Sequence, residues 1–296
     1  MDWQSIIIIL CAVCVITGVI ILDAMNSPSK YFAYDKDNRR HRMLRKGIIA
    51  FVSLVVFVLI WWNLSLLLDN PAIPTPQTTW EALVFLFQNG DSISGMSMWG
   101  HMSISLERFF AGLLIALAIA VPFGLLLGYS DTLKEFSSPT LEALRPIAPI
   151  AWAPIFLFTV GYTWGPILVV FVGIFFPVLT NTMFGVKKID PNWVDAAKTL
   201  GATKVQTFVK VMLPAAVPYI MNGLRIGMGV GWMCIVASEL YASFGGGVGY
   251  FISIQAQMGY WPNVYAGIVI IAILGILTTS LADYLHKVIT RRMGIE

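Results

Sequence analysis

Residues 187–220 read KKIDPNWVDAAKTLGATKVQTFVKVMLPAAVPYI. Asp190 can cap a helix whose first position is Pro191, where a missing N–H does no harm. Gly201 supplies the left-handed turn that ends this helix. Thr203 through Met212 can form a second short helix, and Pro214 opens the element that follows. The unit is polar and carries Lys198, Lys204 and Lys210, yet apolar runs of membrane-crossing length flank it at 166–186 and 215–240. It is therefore a loop between two membrane spans.

The rest of the chain follows the same plan. Hydrophobic residues make up 57% of it and charged residues 12%, and the mean hydropathy is +0.77. A soluble domain carries about 25% charged residues, so lipid is the solvent to reason with. A bilayer core of about 30 Å takes roughly 20 residues of helix. Runs of that kind fall at 4–24, 47–68, 103–128, 147–163, 166–186, 215–240 and 263–285, which predicts an all-α membrane protein with about seven transmembrane helices.

Basic residues set the orientation, because cytoplasmic loops near spans are enriched in them. Of the 19 lysines and arginines, all but Arg108 and Arg225 lie in alternate connections: Lys30 to Lys46, Lys134 with Arg145, Lys187 to Lys210, and Lys287 to Arg292. The other connections, 1–4, 69–100, 164–165 and 241–262, carry none. This segregation predicts an external N-terminus and a cytoplasmic C-terminus, and it makes the net charge of +3 a matter of topology, not of nucleic-acid binding. A cleaved signal peptide is the rival reading of residues 1–25, but that segment lacks a basic leading region. Within the external loop 69–100, Trp80 through Phe87 can form a short interfacial helix.

Catalytic and metal chemistry find little support. Cys11, Cys14 and Cys234 fall inside spans, which argues against a disulfide framework, and no His or carboxylate stands beside Cys11 and Cys14 to complete a metal site. No H-E-x-x-H, G-x-S-x-G or paired in-span Asp motif marks an intramembrane enzyme, so no catalytic residue is assigned.

The opening unit resembles the cytoplasmic signature of permease subunits of binding-protein-dependent ABC importers. That signature runs E-A-A, three residues, G, about nine residues, then I-x-L-P. Asp195, Ala196, Ala197, Gly201, Val211, Leu213 and Pro214 occupy its positions, with Asp195 where the signature has Glu. Four further stretches resemble the branch that imports nitrate, sulfonates, taurine or bicarbonate: SLERFFAGLLIALAIAVPFGLLLGYS at 105–130, LRPIAPIAWAPI at 144–155, FPVLTNTMFGVKKI at 176–189 and PYIMNGLRIGMGVGWMCIVASEL at 218–240.

The resemblance implies a non-catalytic transport subunit with three parts. These are an extra N-terminal helix and basic loop at 1–46, a second helix and external loop at 47–100, and the permease core at 101–290. It implies that Asp195, Ala196, Ala197, Gly201, Leu213 and Pro214 belong to a coupling helix seated on a separate ATP-binding subunit. That subunit would hold ATP and Mg, since this chain has no G-x-x-x-x-G-K-[ST] phosphate loop and no cofactor of its own. The remaining implied partners are a second permease copy, as a homodimer, and an extracytoplasmic substrate-binding protein. Two alternatives stay open: a secondary transporter or channel without an ATPase, and a 191–213 segment that lies on the lipid surface.

Charged groups inside spans are costly and usually face a cavity or a partner. Arg225 is the favoured anion contact, because a guanidinium can grip oxyanions through two bonds; a structural ion pair is the plain alternative. Arg108, Glu239, Asn181, Thr182 and Trp152 complete the candidate substrate path, with salt-bridging and core packing as their ordinary roles. Gly223, Gly227 and Gly231 have the spacing that lets two helices approach closely.

Overall fold

The computed structural model describes residues 13, 16–18, 20, 39–241 and 245–292. Apart from those isolated positions, the expected first span at 4–24, with Cys11 and Cys14, and the basic stretch up to Asn38 lie outside this set. Every regular element among the described residues is helical: α1 (Arg39–Leu68), α2 (Pro76–Asn89), α3 (Met98–Tyr129), α4 (Asp131–Leu144), a 3-10 turn (Pro149–Trp152), α5 (Ala153–Lys187), α6 (Pro191–Thr199), α7 (Lys204–Thr207), a π-helical segment (Phe208–Met212), α8 (Leu213–Tyr241), α9 (Val248–Gln257) and α10 (Trp261–Arg292). Among the described residues, five stretches are long and apolar enough to cross a membrane: Ile49–Leu68, Met98–Tyr129, Pro149–Lys187, Lys204–Tyr241 and Trp261–Arg291.

The expected separate spans at 147–163 and 166–186 are joined in the single stretch Pro149–Lys187. A straight helix of its 39 residues would be about 58 Å long, far more than the bilayer core. The chain instead leaves helical geometry at Gly161 (φ 82°, ψ 177°), inside the first expected span and before the predicted break at 164–165. Only glycine enters that backbone region without strain. The two arms then fold close enough for Leu157 to pack on Gly165.

The second arm of α5 is the centre of the bundle. On one side it meets a line of small residues on α3: Gly112 lies against Val170, Gly124 against Thr182 and Gly128 against Val186, with Ala116 and Ala120 fully buried between them. Residue numbers rise together along this seam, so α3 and α5 run parallel. On the other side Gly223 of α8 meets Asn181 and Gly227 meets Ile174; numbers rise on one helix as they fall on the other, so α8 is antiparallel to α5. A parallel pair obliges the chain between its members to travel back to the starting end. Residues 130–160 make that return through α4, the 3-10 turn and the first arm of α5, a path broken by Pro139, Pro149 and Pro154.

Of the other described elements, α10 packs along α8, where Thr278 meets Trp232 and Asp283 meets Arg225, and the shorter elements collect at the two ends of this bundle. Lys187 bonds Asp131 at 3.0 Å, bringing the ends of α3 and α5 together near the α6–α7 unit. At the opposite end Trp61 of α1 stacks on Tyr265 of α10 (5.5 Å between centroids) and donates to the Pro74 carbonyl at 3.0 Å. The expected interfacial helix is present there as α2, longer than predicted, with Thr75 as its cap.

A methyl group at Gly124 would sit 2.7 Å from the Thr182 Cβ and 2.9 Å from the Leu179 carbonyl oxygen, which is backbone and cannot yield. Gly124→Leu is expected to destabilise the bundle by about 1–3 kcal/mol, the usual range for overpacking. A lowered thermal midpoint of the detergent-purified protein would show it; an unchanged midpoint would mean that α3 and α5 separate freely.

Candidate functional site

The α6–α7 unit forms an elbow. Asp190 accepts a bond from the Asn192 N–H at 2.9 Å and Pro191 takes the first helical position. Gly201 sits at φ +80°, and the N–H groups of Gly201 and Ala202 close the helix on the carbonyls of Lys198 (2.9 Å) and Ala197 (3.0 Å). Thr203 and Gln206 then cap α7 reciprocally, side chain to backbone in both directions. The helical path runs unbroken from Lys204 into α8, so Pro214 lies within it instead of opening a separate span. Proline crowds the carbonyl one turn back and has no N–H to give, and the wider π turns just before it ease that conflict.

No residue of α6 is buried. Among the described residues Asp195 pairs only with Lys198 one turn away, at 2.9 Å. Around the elbow Trp193, Leu200, Val205 and Val209 are all exposed, Leu200 to 88%. Beside it, the Lys187 ammonium holds the Asp131 carboxyl below the usual carboxylate range. Their contact is therefore intact at neutral pH and is lost only as pH falls through that lowered value.

The path candidates fall in four places. Near the middle of α8, Arg225 pairs through Nε with Asp283 of α10 at 2.9 Å, and Asn222 bonds Asn181 of α5 at 2.9 Å. Thr182 is fully buried in the α3–α5 seam, and its Oγ1 has no hydrogen-bond partner among the described residues. Trp152 stacks on Phe156 one turn along, with centroids 6.0 Å apart.

Arg108 and Glu239 come together at the end opposite the elbow, at 2.9 Å and almost out of reach of solvent. The Glu239 carboxylate also accepts from the Ser105 hydroxyl (2.8 Å) and the Gly249 N–H (3.0 Å). Arg108 donates to the Gly246 carbonyl at 2.9 Å, Ser105 accepts from the Val248 N–H at 2.8 Å, and His101 bonds the Gly247 carbonyl at 3.1 Å. Residues 101, 105 and 108 form one stripe of α3, and it grips consecutive backbone groups of the turn into α9. Asp91, buried in the preceding loop, ties in Gln255 of α9 at 2.8 Å, and Gln255 accepts from Asn263 of α10 at 2.9 Å.

Sequence reasoning missed Asp283, Ser105, Asp91 and the apolar rim of the elbow. Asp283 had a usable signal, since it is an acidic residue inside a predicted span. The others had none, because Ser105 and Asp91 find partners more than 130 residues away. Among the described residues no group of His, Cys, Asp and Glu could hold a metal ion.

Apolar side chains exposed along several long helices, with polar groups drawn inward or to the ends, define a multi-pass membrane protein. Residues 120–295 match the family described as the binding-protein-dependent transport system inner membrane component, and the chain belongs to that family. It is 34% identical to the taurine transport system permease protein of Escherichia coli over 242 residues, 80% of this chain and 87% of that one. It is 30% identical to the nitrate import permease protein of Leptolyngbya laminosa over 266 residues, 88% and 93% of the two chains. The inward-facing MetNI methionine ABC transporter shares the fold, with a TM-score of 0.56 at 21% identity over 65% of this chain and 97% of that one. The chain is thus an inner-membrane permease component of the ABC importer family.

Removing one member of a buried ion pair strands the other charge. Arg108→Ala is expected to destabilise the protein by about 3–5 kcal/mol, whereas replacing Arg108 and Glu239 together with leucines should cost markedly less. Thermal unfolding of the three proteins in one detergent checks this; equal losses for the single and double variants would mean that the pair does not act as a unit.

Proposed function

We propose that this chain forms the path of an ATP-driven importer for a small oxyanion, in the class of taurine, other sulfonates, nitrate or bicarbonate, and works as a homodimer. ATP and Mg reside on two partner ATPase subunits, and an extracytoplasmic binding protein delivers the substrate. The observation that carries this reading is the elbow: a capped, glycine-hinged helix pair whose apolar rim, led by Leu200, is uncovered. An exposed apolar rim bounded by charge marks a docking surface. The named activities of the relatives supply the substrate class.

The elbow and the path share one helical segment. Lys204–Tyr241 runs from the elbow to the middle of the bundle, where Asn222 and Arg225 are exposed. Because the small-residue seam fastens α8 to α5, a push on the elbow moves both helices together. The orientation that fits puts the elbow and C-terminus in the cytoplasm and the N-terminus outside, with seven crossings once the broken return at 130–160 and the first span are counted. Two features support it: the parallel run of α3 and α5, and the position of Lys187, Lys198 and Lys204 at one end.

A β-branched side chain at Gly201 costs on the order of 1–2 kcal/mol in the left-handed region and re-aims α6. Gly201→Val should leave the spans inserted while abolishing ATP-dependent uptake, and Leu200→Asp should release the ATPase. Co-purification and uptake in proteoliposomes measure both; normal values for both variants would remove the coupling assignment. For the orientation, Thr203→Cys should be shielded from an impermeant thiol reagent in intact cells while Ser92→Cys is labelled, and the reverse pattern would invert the topology.

A further inference from the structure

The polarity of the Asn181–Asn222 pair is fixed from one end. Asn181 Nδ2 donates to the Pro177 carbonyl at 2.8 Å, and a carbonyl can only accept. Asn181 therefore turns its Oδ1 to Asn222, whose Nδ2 donates to it at 2.9 Å. What Asn222 has left on its exposed side is Oδ1, an acceptor with no bond from any described residue, beside the second N–H of its amide.

One turn further along α8, Arg225 commits Nε to Asp283 at 2.9 Å. Both Nη groups remain as donors, and a guanidinium edge of this kind suits the paired oxygens of an oxyanion. Side chains three apart on a helix are neighbours. The strip beside them is open: Ile226 and Met233 are exposed, and no described residue lies within 4 Å of where a methyl group on Gly229 would sit. A charge and an amide in the middle of a span are too costly to leave facing lipid, so this face of α8 looks onto substrate or water.

We infer that Asn222 and Arg225 form one two-point station, in which Arg225 holds the oxyanion and Asn222 accepts a hydrogen bond from a donor on the same substrate. The favoured substrates are then oxyanions that also carry an N–H or O–H group, such as an aminosulfonate or hydrogencarbonate. Nitrate has acceptors alone, so it can take the remaining Asn222 N–H but leaves Oδ1 without a donor. This inference rests on the importer reading above and narrows its substrate class.

The test uses the complete transporter, permease with its ATPase and binding protein, in proteoliposomes, with ATP-driven uptake of taurine, hydrogencarbonate and nitrate measured separately. The binding protein is the same in every sample, so a change in the ratio of rates between variants reports the path. Asn222→Leu is expected to cut uptake of the donor-bearing anion at least ten-fold relative to nitrate. Asn222→Ala makes the same comparison with less bulk if the leucine variant does not assemble. Asn181→Leu removes the anchor that orients the Asn222 amide but leaves its acceptor in place, and is expected to lower rates with a clearly smaller shift of the ratio than the Asn222 variants give. An unchanged ratio in the Asn222 variants, an equal shift in Asn181→Leu, or a wild-type transporter that carries nitrate alone would each overturn the station. Failure of the wild-type permease to hold an ATPase would instead overturn the importer reading.

Discussion

Lipid tails are as apolar as leucine, so no hydrophobic force presses helices together inside a bilayer; contact has to come from close packing. In this chain the closest packing is the grip on the second arm of α5, which has small residues of α3 on one side and glycines of α8 on the other. Side chains of α5 such as Ile174, Val178 and Leu179 fill the space so opened and are almost completely buried. The parallel course of α3 and α5, and hence the broken return between them, follows from that grip. So does the fastening of α8, the helix that continues from the elbow.

The two ends of the bundle are finished by different physics. At one end an ion pair, Asp91 and the α3 stripe satisfy nearly every polar group and are themselves buried. Such a network is stiff, because breaking any one bond strands a polar group in a low-dielectric interior. The elbow end has one-turn caps, the exposed contacts Asp195–Lys198 and Asp131–Lys187, and uncovered apolar side chains. Exposed ion pairs contribute little to stability, so the elbow owes its shape to local capping and to Gly201.

The contrast also explains what could be read in advance. The elbow is written in adjacent residues: Asp190 before Pro191, Gly201 after the helix, Thr203 with Gln206. The small-residue spacing of Gly223, Gly227 and Gly231 was legible for the same reason, and the equal spacing of Gly112, Ala116, Ala120, Gly124 and Gly128 was there to be counted. Arg108 was harder. Its neighbour in sequence, Glu107, points to a local pair, but adjacent residues on a helix face different directions, and its partner is Glu239. The division of Pro149–Lys187 was misplaced because hydropathy sees only apolar length. The turn depends on the backbone freedom of Gly161, which hydropathy does not score.

These local and long-range features meet on α8. Its buried side is fixed by the seam with α5 and by Trp232, which stacks on Phe109 and bonds Thr278 at 2.7 Å. Its far end is tied by Glu239 into the stiff network, and its near end continues through a π segment into the elbow. A helix held hard at one end and along one side, but lightly at the other end, transmits displacement by pivoting about the held end. Arg225 and Asn222 lie between the pivot and the elbow, on the side the seam leaves open. Under the coupling proposed above, movement at the elbow reaches them as a change in spacing from whatever faces that side, while Asp283 and Asn181 set the direction in which their remaining donors and acceptor point.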